Sequence, residues 1–170
     1  MNLQLDNLTF YKCLKSDLEE ISKLASVIWP SAFKEILSED QSKFMLEWMY
    51  NIETLEKKMD NGHLFYLTKE TQTNVGFVGL QPDFPEKGKL RIHKIYLSQE
   101  YQGKGIGIWM MDQVEKLAQT MSLNYLHLNV NRYNKATEFY KKGGFEILFS
   151  EDIDIGNGYF MNDFVMQKKL

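Results

Sequence analysis

Between a β-forming run that ends at Leu97 and an amphipathic stretch that opens at Ile108, the chain carries Gln102-Gly103-Lys104-Gly105-Ile106-Gly107. Glycines at a strand-to-helix junction bring unpaired backbone N–H groups and the positive end of the helix dipole to one point, where an anion such as phosphate is held. They allow a sharp turn, and they let the amides approach a bulky pyrophosphate that a Cβ would obstruct. The same cluster also reads as a tight connection whose glycines serve backbone conformation alone. Spacing excludes two common phosphate binders. A dinucleotide fingerprint needs G-x-G-x-x-G and an acid about 20 residues later, whereas the glycines here run G-x-G-x-G and the next strand holds Leu126-His127-Leu128-Asn129. A nucleoside-triphosphate loop needs Gly-Lys followed by Ser or Thr, and Lys104 is followed by Gly105.

The elements that must position this loop follow from periodicity. Residues 90–97 and 125–130 read as strands on either side of a helix in which Ile108, Met111, Val114 and Ala118 recur at helical spacing. Upstream, residues 8–14 are rich in β-formers, and Ser16 with Glu19 makes a capping box for a helix running to about residue 28. Leu18, Ile21, Leu24, Ala25 and Ile28 share one face of that helix, and Pro30 is expected to break it. Ser38 with Gln41 repeats the cap, and the helical pattern through Met45, Trp48, Leu55 and Met59 ends at Asn61-Gly62. Residues 63–69 and 75–80 read as a hairpin around a polar turn at 71–74. A short helix at 135–142 stops at Gly143-Gly144, before final strands at 145–149 and 159–168. The order β-α-α-β-β-β-α-β-α-β-β is an α/β mixture (α+β, with a mixed sheet) in a single domain spanning residues 1–170.

With 44% hydrophobic and 14% aromatic residues the 170-residue chain has material for a sizeable core, and its 25% charged residues suit an ordinary soluble surface. Twenty basic against twenty-three acidic side chains leave a formal charge of -3, so bulk electrostatics recruit neither nucleic acid nor an anionic membrane. The lone Cys13 closes no intrachain disulfide and builds no Cys-rich zinc site; no metal is expected, and a reducing compartment is the default. Residues 1–6 lack the basic start and apolar run of a secretory signal, and no stretch approaches the roughly 18 apolar residues of a membrane span. The reading is cytoplasmic.

Three segments taken together, Ile92-His93-Lys94-Ile95-Tyr96-Leu97, Tyr101-Gln102-Gly103-Lys104-Gly105-Ile106-Gly107 and Asn134-Lys135-Ala136-Thr137-Glu138-Phe139-Tyr140, the last followed by Gly143-Gly144-Phe145, resemble the GNAT superfamily of acetyl-CoA-dependent N-acetyltransferases. The resemblance implies the GNAT fold, a mixed sheet of about seven strands whose two central parallel strands splay apart to admit the pantetheine arm. It implies acetyl-CoA as co-substrate, with Gln102, Gly103, Lys104, Gly105, Ile106, Gly107 and Ile108 cradling the pyrophosphate through the main chain. The backbone of Ile95 and Leu97 would meet the acetyl and pantetheine groups, Asn134 would contact pantetheine, and Tyr140 would protonate the leaving thiolate. By residue type alone, Asn134 is also an N-cap and Tyr140 a packed aromatic. Where many relatives carry a glutamate base, this chain has Arg91. Strand alternation puts Arg91, His93, Ile95 and Leu97 on one face, which makes His93, with an ordinary pKa of about 6.5, the nearest proton relay; a histidine bonded within the sheet is the alternative.

Further upstream, Trp29-Pro30-Ser31-Ala32-Phe33, Ile36-Leu37-Ser38-Glu39-Asp40-Gln41 and Met45-Leu46-Glu47-Trp48-Met49-Tyr50 are similar to bacterial PaiA-like acetyltransferases, a group associated with polyamines such as spermidine. Glu35, Glu39 and Asp40 form the cluster expected to draw a small cationic amine, with Glu47 nearby and Phe33, Trp48 and Tyr50 offering aromatic faces. Acids beside an apolar stripe also read as its solvated face. The acidic run Glu151-Asp152-Ile153-Asp154 before the last hairpin reads as a second cation-attracting lip or as a solvated loop. The expected partner is a small-molecule amine, and a second copy of the chain is admitted as another. A protein or peptide amine as acceptor, and a non-catalytic CoA-binding sensor, are the competing readings.

Overall fold

The computed structural model describes residues 5–170, so residues 1–4, on which much of the signal-peptide reading rests, lie outside the described residues. Strand β1 (Leu8–Lys12) leads to three helices, α1 (Leu18–Ala32), α2 (Glu39–Tyr50) and α3 (Ile52–Asp60). Strands β2 (Leu64–Glu70), β3 (Thr73–Pro82) and β4 (Lys89–Leu97) follow, then α4 (Ile106–Thr120), β5 (Tyr125–Asn131), α5 (Ala136–Lys142), β6 (Glu146–Gly156) and β7 (Tyr159–Lys169). The strands form one sheet in the order β1-β2-β3-β4-β5-β7-β6, with β4 and β5 its only parallel pair among the described residues. No described helix is long and apolar enough to cross a membrane.

Two cores sandwich the sheet, because alternate side chains of each strand face opposite ways. On one side Ile106, Met110, Val114 and Ala118 of α4 pack on Val78, Leu80, Ile92 and Leu128. On the other, Leu18, Ile21 and Trp29 of α1, Met45 of α2 and Leu55 of α3 pack on Phe65, Leu67 and Phe77. Ser38 caps α2 as its spacing predicts, its hydroxyl accepting from Gln41 N at 3.1 Å. The Gln41 side chain does not return to the cap; it donates instead to Phe160 O on β7 at 3.0 Å.

Three expectations are corrected. Helix α1 continues through Pro30 to Ala32: the missing N–H orphans only the Ser26 carbonyl in the last turns, on a face exposed to solvent. The Ser16–Glu19 box does not form; the Asp17 carboxylate accepts from Leu14 N at 2.8 Å and from the Tyr11 hydroxyl at 3.1 Å. The acids at 151–154 are not loop but part of β6, which runs to Gly156 paired with β7.

Register then decides the centre of the sheet. Gly79 pairs with Lys94 but Leu80 pairs with Ile92, so His93 is an extra residue on β4, a bulge. The parallel ladder between β4 and β5 runs from Lys89↔Tyr125 to Ile92↔Leu128 and stops there, one residue before the bulge. Beyond it the two strands part. The bulge also resets the alternation: Leu90 and Ile92 face α4, and Ile95 and Leu97 face the same side, while Tyr96 faces α1–α3. Arg91 and His93 therefore lie across the sheet from Ile95 and Leu97, not beside them as simple alternation expects.

Strand β3 meets this segment very closely. A Cβ built at Gly76 would stand 2.6 Å from the Tyr96 carbonyl oxygen, which is backbone and has no room to yield. Gly76→Ala is expected to lower unfolding free energy by about 1–3 kcal/mol through overpacking. An unchanged urea midpoint would contradict it.

Candidate functional site

The gap past Ile92 opens into a cleft of about 1400 Å³ lined from both sides of the sheet. One mouth is built by the glycine loop, the start of α4 and α5. Gly103 and Gly105 have φ of +74° and +83°, the left-handed region that glycine enters without strain. Gly105 is the N-cap of α4 and offers no side-chain cap to its first-turn N–H groups. A Cβ at Gly103 would meet open space. The loop is tied back to the strand by Gln102 Nε2, which donates to Leu97 O at 3.1 Å. Gln102, Gly103, Gly105, Gly107 and Ile108 line the cleft, as do Ile95 and Leu97. Two members of the expected cradle hold other positions: Ile106 is fully buried and anchors α4 in the core, and Lys104 Nζ lies 5.3 Å from the Tyr101 ring centroid.

Asn134 and Tyr140 flank the same mouth. The Asn134 Oδ1 accepts from Ala136 N at 2.9 Å, so it caps the turn into α5, and its amide nitrogen is not used in that bond. Tyr140 is buried, packed edge-on against Phe139 and Phe145 at 5.4 and 5.6 Å. Burial pushes its phenol above the ordinary tyrosine value, so it stays protonated at neutral pH. Tyr96 stands across the waist, its own pKa raised by burial and by the neighbouring Tyr140 and Asp163.

The second mouth opens on the α1–α3 side. Trp29, Phe33, Met45, Trp48 and Met161 give it an apolar wall. Tyr50 is not part of that wall; it is buried behind it, its hydroxyl accepting from Trp29 Nε1 at 3.0 Å. Glu35, Glu39 and Asp40 are exposed and do not line the cleft, and neither does Glu47. This corrects the expected amine-binding cluster. Glu39 and Asp40 occupy the first turn of α2, where acids suit the helix dipole and remain in water.

The polar groups that line this mouth include Arg91, His93, Lys94, Asn129, Asp163 and Lys58. His93 Nε2 bonds to Gln81 Oε1 at 2.9 Å and its ring stacks on His63 at 4.7 Å. Burial, with nearby cations adding, pulls its pKa down to about 2, so it is neutral and very weakly basic. Lys94 is buried over the Tyr50 ring at 5.2 Å, and burial with Lys58 close by drives its pKa well below the usual lysine value. Asp163 is buried on β7, its Oδ2 accepting from Asn129 Nδ2 at 3.2 Å. Burial raises its carboxyl above the ordinary aspartate range. Sequence reasoning passed over Asp163, although a signal existed: it alternates with Met161 and Val165, an acid in line with inward apolar positions.

Residues 19–145 match the Acetyltransferase (GNAT) family. The chain is 28% identical over 159 residues to the spermidine N(1)-acetyltransferase of Thermoplasma acidophilum, covering 90% of this chain and 91% of that one. The crystal structure of a PaiA N-acetyltransferase from Thermoplasma acidophilum in complex with coenzyme A superposes with a TM-score of 0.79 at 27% identity, covering 96% of this chain and 99% of that chain. A GCN5-related N-acetyltransferase from Rhodopseudomonas palustris shares the fold, with a TM-score of 0.80 at 20% identity and 95% of each chain covered.

Proposed function

We propose that this chain, which belongs to the Acetyltransferase (GNAT) family, carries an acetyl group from acetyl-CoA directly to a primary amine seated at the waist of its cleft. One observation carries this reading. The β4–β5 ladder ends at Ile92, and the opening it leaves lies between the glycine loop and the Tyr140 phenol on one side and the Asp163 carboxylate on the other. The chain's residues fit the co-substrate: two left-handed glycines ahead of an uncapped 15-residue helix form a cradle for a diphosphate.

When bound, acetyl-CoA supplies an acyl carbon activated by its thioester. The β4 backbone past Ile92 is unpaired on its β5 side, so its N–H groups are available to the carbonyl oxygen as negative charge gathers there. As the nitrogen–carbon bond forms and the carbon–sulfur bond breaks, the amine sheds one proton and the sulfur gains one. Tyr140, protonated and turned into the cleft, gives the second. We assign acceptance of the first to Asp163, since His93 is held by Gln81 with too little basicity to compete.

The likeness to the spermidine N(1)-acetyltransferase of Thermoplasma acidophilum supports a polyamine as acceptor. The aromatic wall of Phe33 and Trp48 suits an alkyl chain of that kind, whereas the acids expected to draw a polycation stand outside the cleft. Mass spectrometry of acetyl-CoA reactions with spermidine, amino acids, simple amines and N-terminal peptides tests the proposal. Acetylation of a small primary amine is the expected outcome. Product only on peptides would move the acceptor to proteins, and coenzyme binding without any product would make the chain a sensor.

A further inference from the structure

Arg91 occupies the position where a glutamate base was sought, and its surroundings are unusual for a half-buried guanidinium. Nη1 donates to His127 Nδ1 at 2.8 Å, which fixes that histidine as a neutral acceptor. Nε is buried with no hydrogen-bond partner. Among the described residues no carboxylate lies within ion-pair distance of Arg91, although Asp163 and Glu151 are near enough to influence it. A guanidinium that lines the cleft with no carboxylate of its own is suited to take one from a ligand.

The complementary half stands beside it. The Asn129 Nδ2 donates both to Glu151 Oε1 at 2.7 Å and to Asp163 Oδ2 at 3.2 Å, so its Oδ1 must face elsewhere; that oxygen is buried and unpartnered. Asn129 Oδ1 and the Asp163 carboxylate are acceptors for an ammonium or amine N–H. Arg91, Asn129 and Asp163 all line the same mouth of the cleft. A cation and an anion thus face one space without closing on each other.

We propose that the acceptor is a zwitterion, a small amino acid with an apolar side chain, whose carboxylate sits on Arg91 and whose amine sits on Asp163 and Asn129. Its hydrocarbon part then meets Trp29, Phe33, Met45 and Trp48. The inference rests on the acetyl-transfer reading and names its substrate class. Electrostatics favour it over a polyamine: a molecule with several ammonium groups would meet the Arg91 and Lys58 cations, with Asp163 the lining carboxylate nearest Arg91 and Asn129, and Glu100 the other lining acid, exposed beyond the far end of β4.

The test compares L-leucine, L-methionine and L-phenylalanine with 3-methylbutylamine, which is leucine without its carboxylate, and with spermidine. Acetylated product is followed by mass spectrometry, and binding to the CoA-loaded protein by calorimetry. The amino acids are expected to exceed 3-methylbutylamine in kcat/KM by about 10–100-fold, the contribution of hydrogen bonds to a charged group. Arg91→Gln should collapse that ratio toward one, mainly through KM, and Arg91→Lys should restore part of it. Coenzyme binding by each variant checks its fold, and if Arg91→Gln does not fold the wild-type ratio decides. Preference for spermidine or 3-methylbutylamine overturns the zwitterion and leaves acetyl transfer standing. Coenzyme binding with no amine acetylated overturns both.

Discussion

Gly105→Val yields a folded protein that no longer holds a CoA thioester. Gly105 sits at φ +83° as the N-cap of α4, a conformation that costs a β-branched residue about 1–3 kcal/mol. The chain relieves that strain locally by rotating the peptide into a negative-φ conformation, since Gly105 precedes the buried Ile106 anchor and the rest of α4 stays packed. Rotation turns the first-turn N–H groups away from the point where they converge, and the diphosphate loses several charge-assisted donors at once. At 1.5–3 kcal/mol for each such bond, loss of two weakens coenzyme binding by roughly 100-fold or more. Calorimetry with CoA, beside a thermal melt, measures this. Affinity within threefold of the parent would remove the glycine loop from the binding site.

Tyr140→Phe has the second large effect, and a different one. Burial holds the Tyr140 phenol in its protonated form, and the hydroxyl makes no hydrogen bond to another described residue, so its proton is free for the cleft. Phenylalanine keeps the ring against Phe139 and Phe145 and removes only the donor. Turnover should fall by about 10²–10⁴-fold, the usual worth of a general acid, while KM for acetyl-CoA stays within a few-fold. A parallel loss of coenzyme affinity would recast Tyr140 as a packing residue, and unchanged turnover would assign the proton elsewhere.

Local pattern sufficed for most of the scaffold. The Ser38 cap, the hairpin of β2 and β3 and the glycine loop ahead of α4 are each written in a few adjacent residues, and each forms where its pattern stands. The bulge at His93 has no such signature, since it arises from how β3 and β4 pair over 15 residues of separation between Gly79 and Lys94. Its consequence was invisible too: Arg91 and His93 exchange faces relative to Ile95 and Leu97. The acceptor side suffered most. Glu35, Glu39 and Asp40 stand out as a run in the sequence, yet water keeps them on the surface. Arg91, Asn129 and Asp163 come from three separate strands and meet only once the sheet is assembled in the order β4-β5-β7.

Because the cleft is lined from both faces of the sheet where β4 and β5 part, it offers the two reactants of the proposed transfer separate doors. In the proposed reaction the coenzyme would enter past α4 and the acceptor past α1 and α2, so that neither would block the other's departure. Such a passage would let both reactants be present at once, and the proposed transfer then needs no side chain to carry the acetyl group between visits.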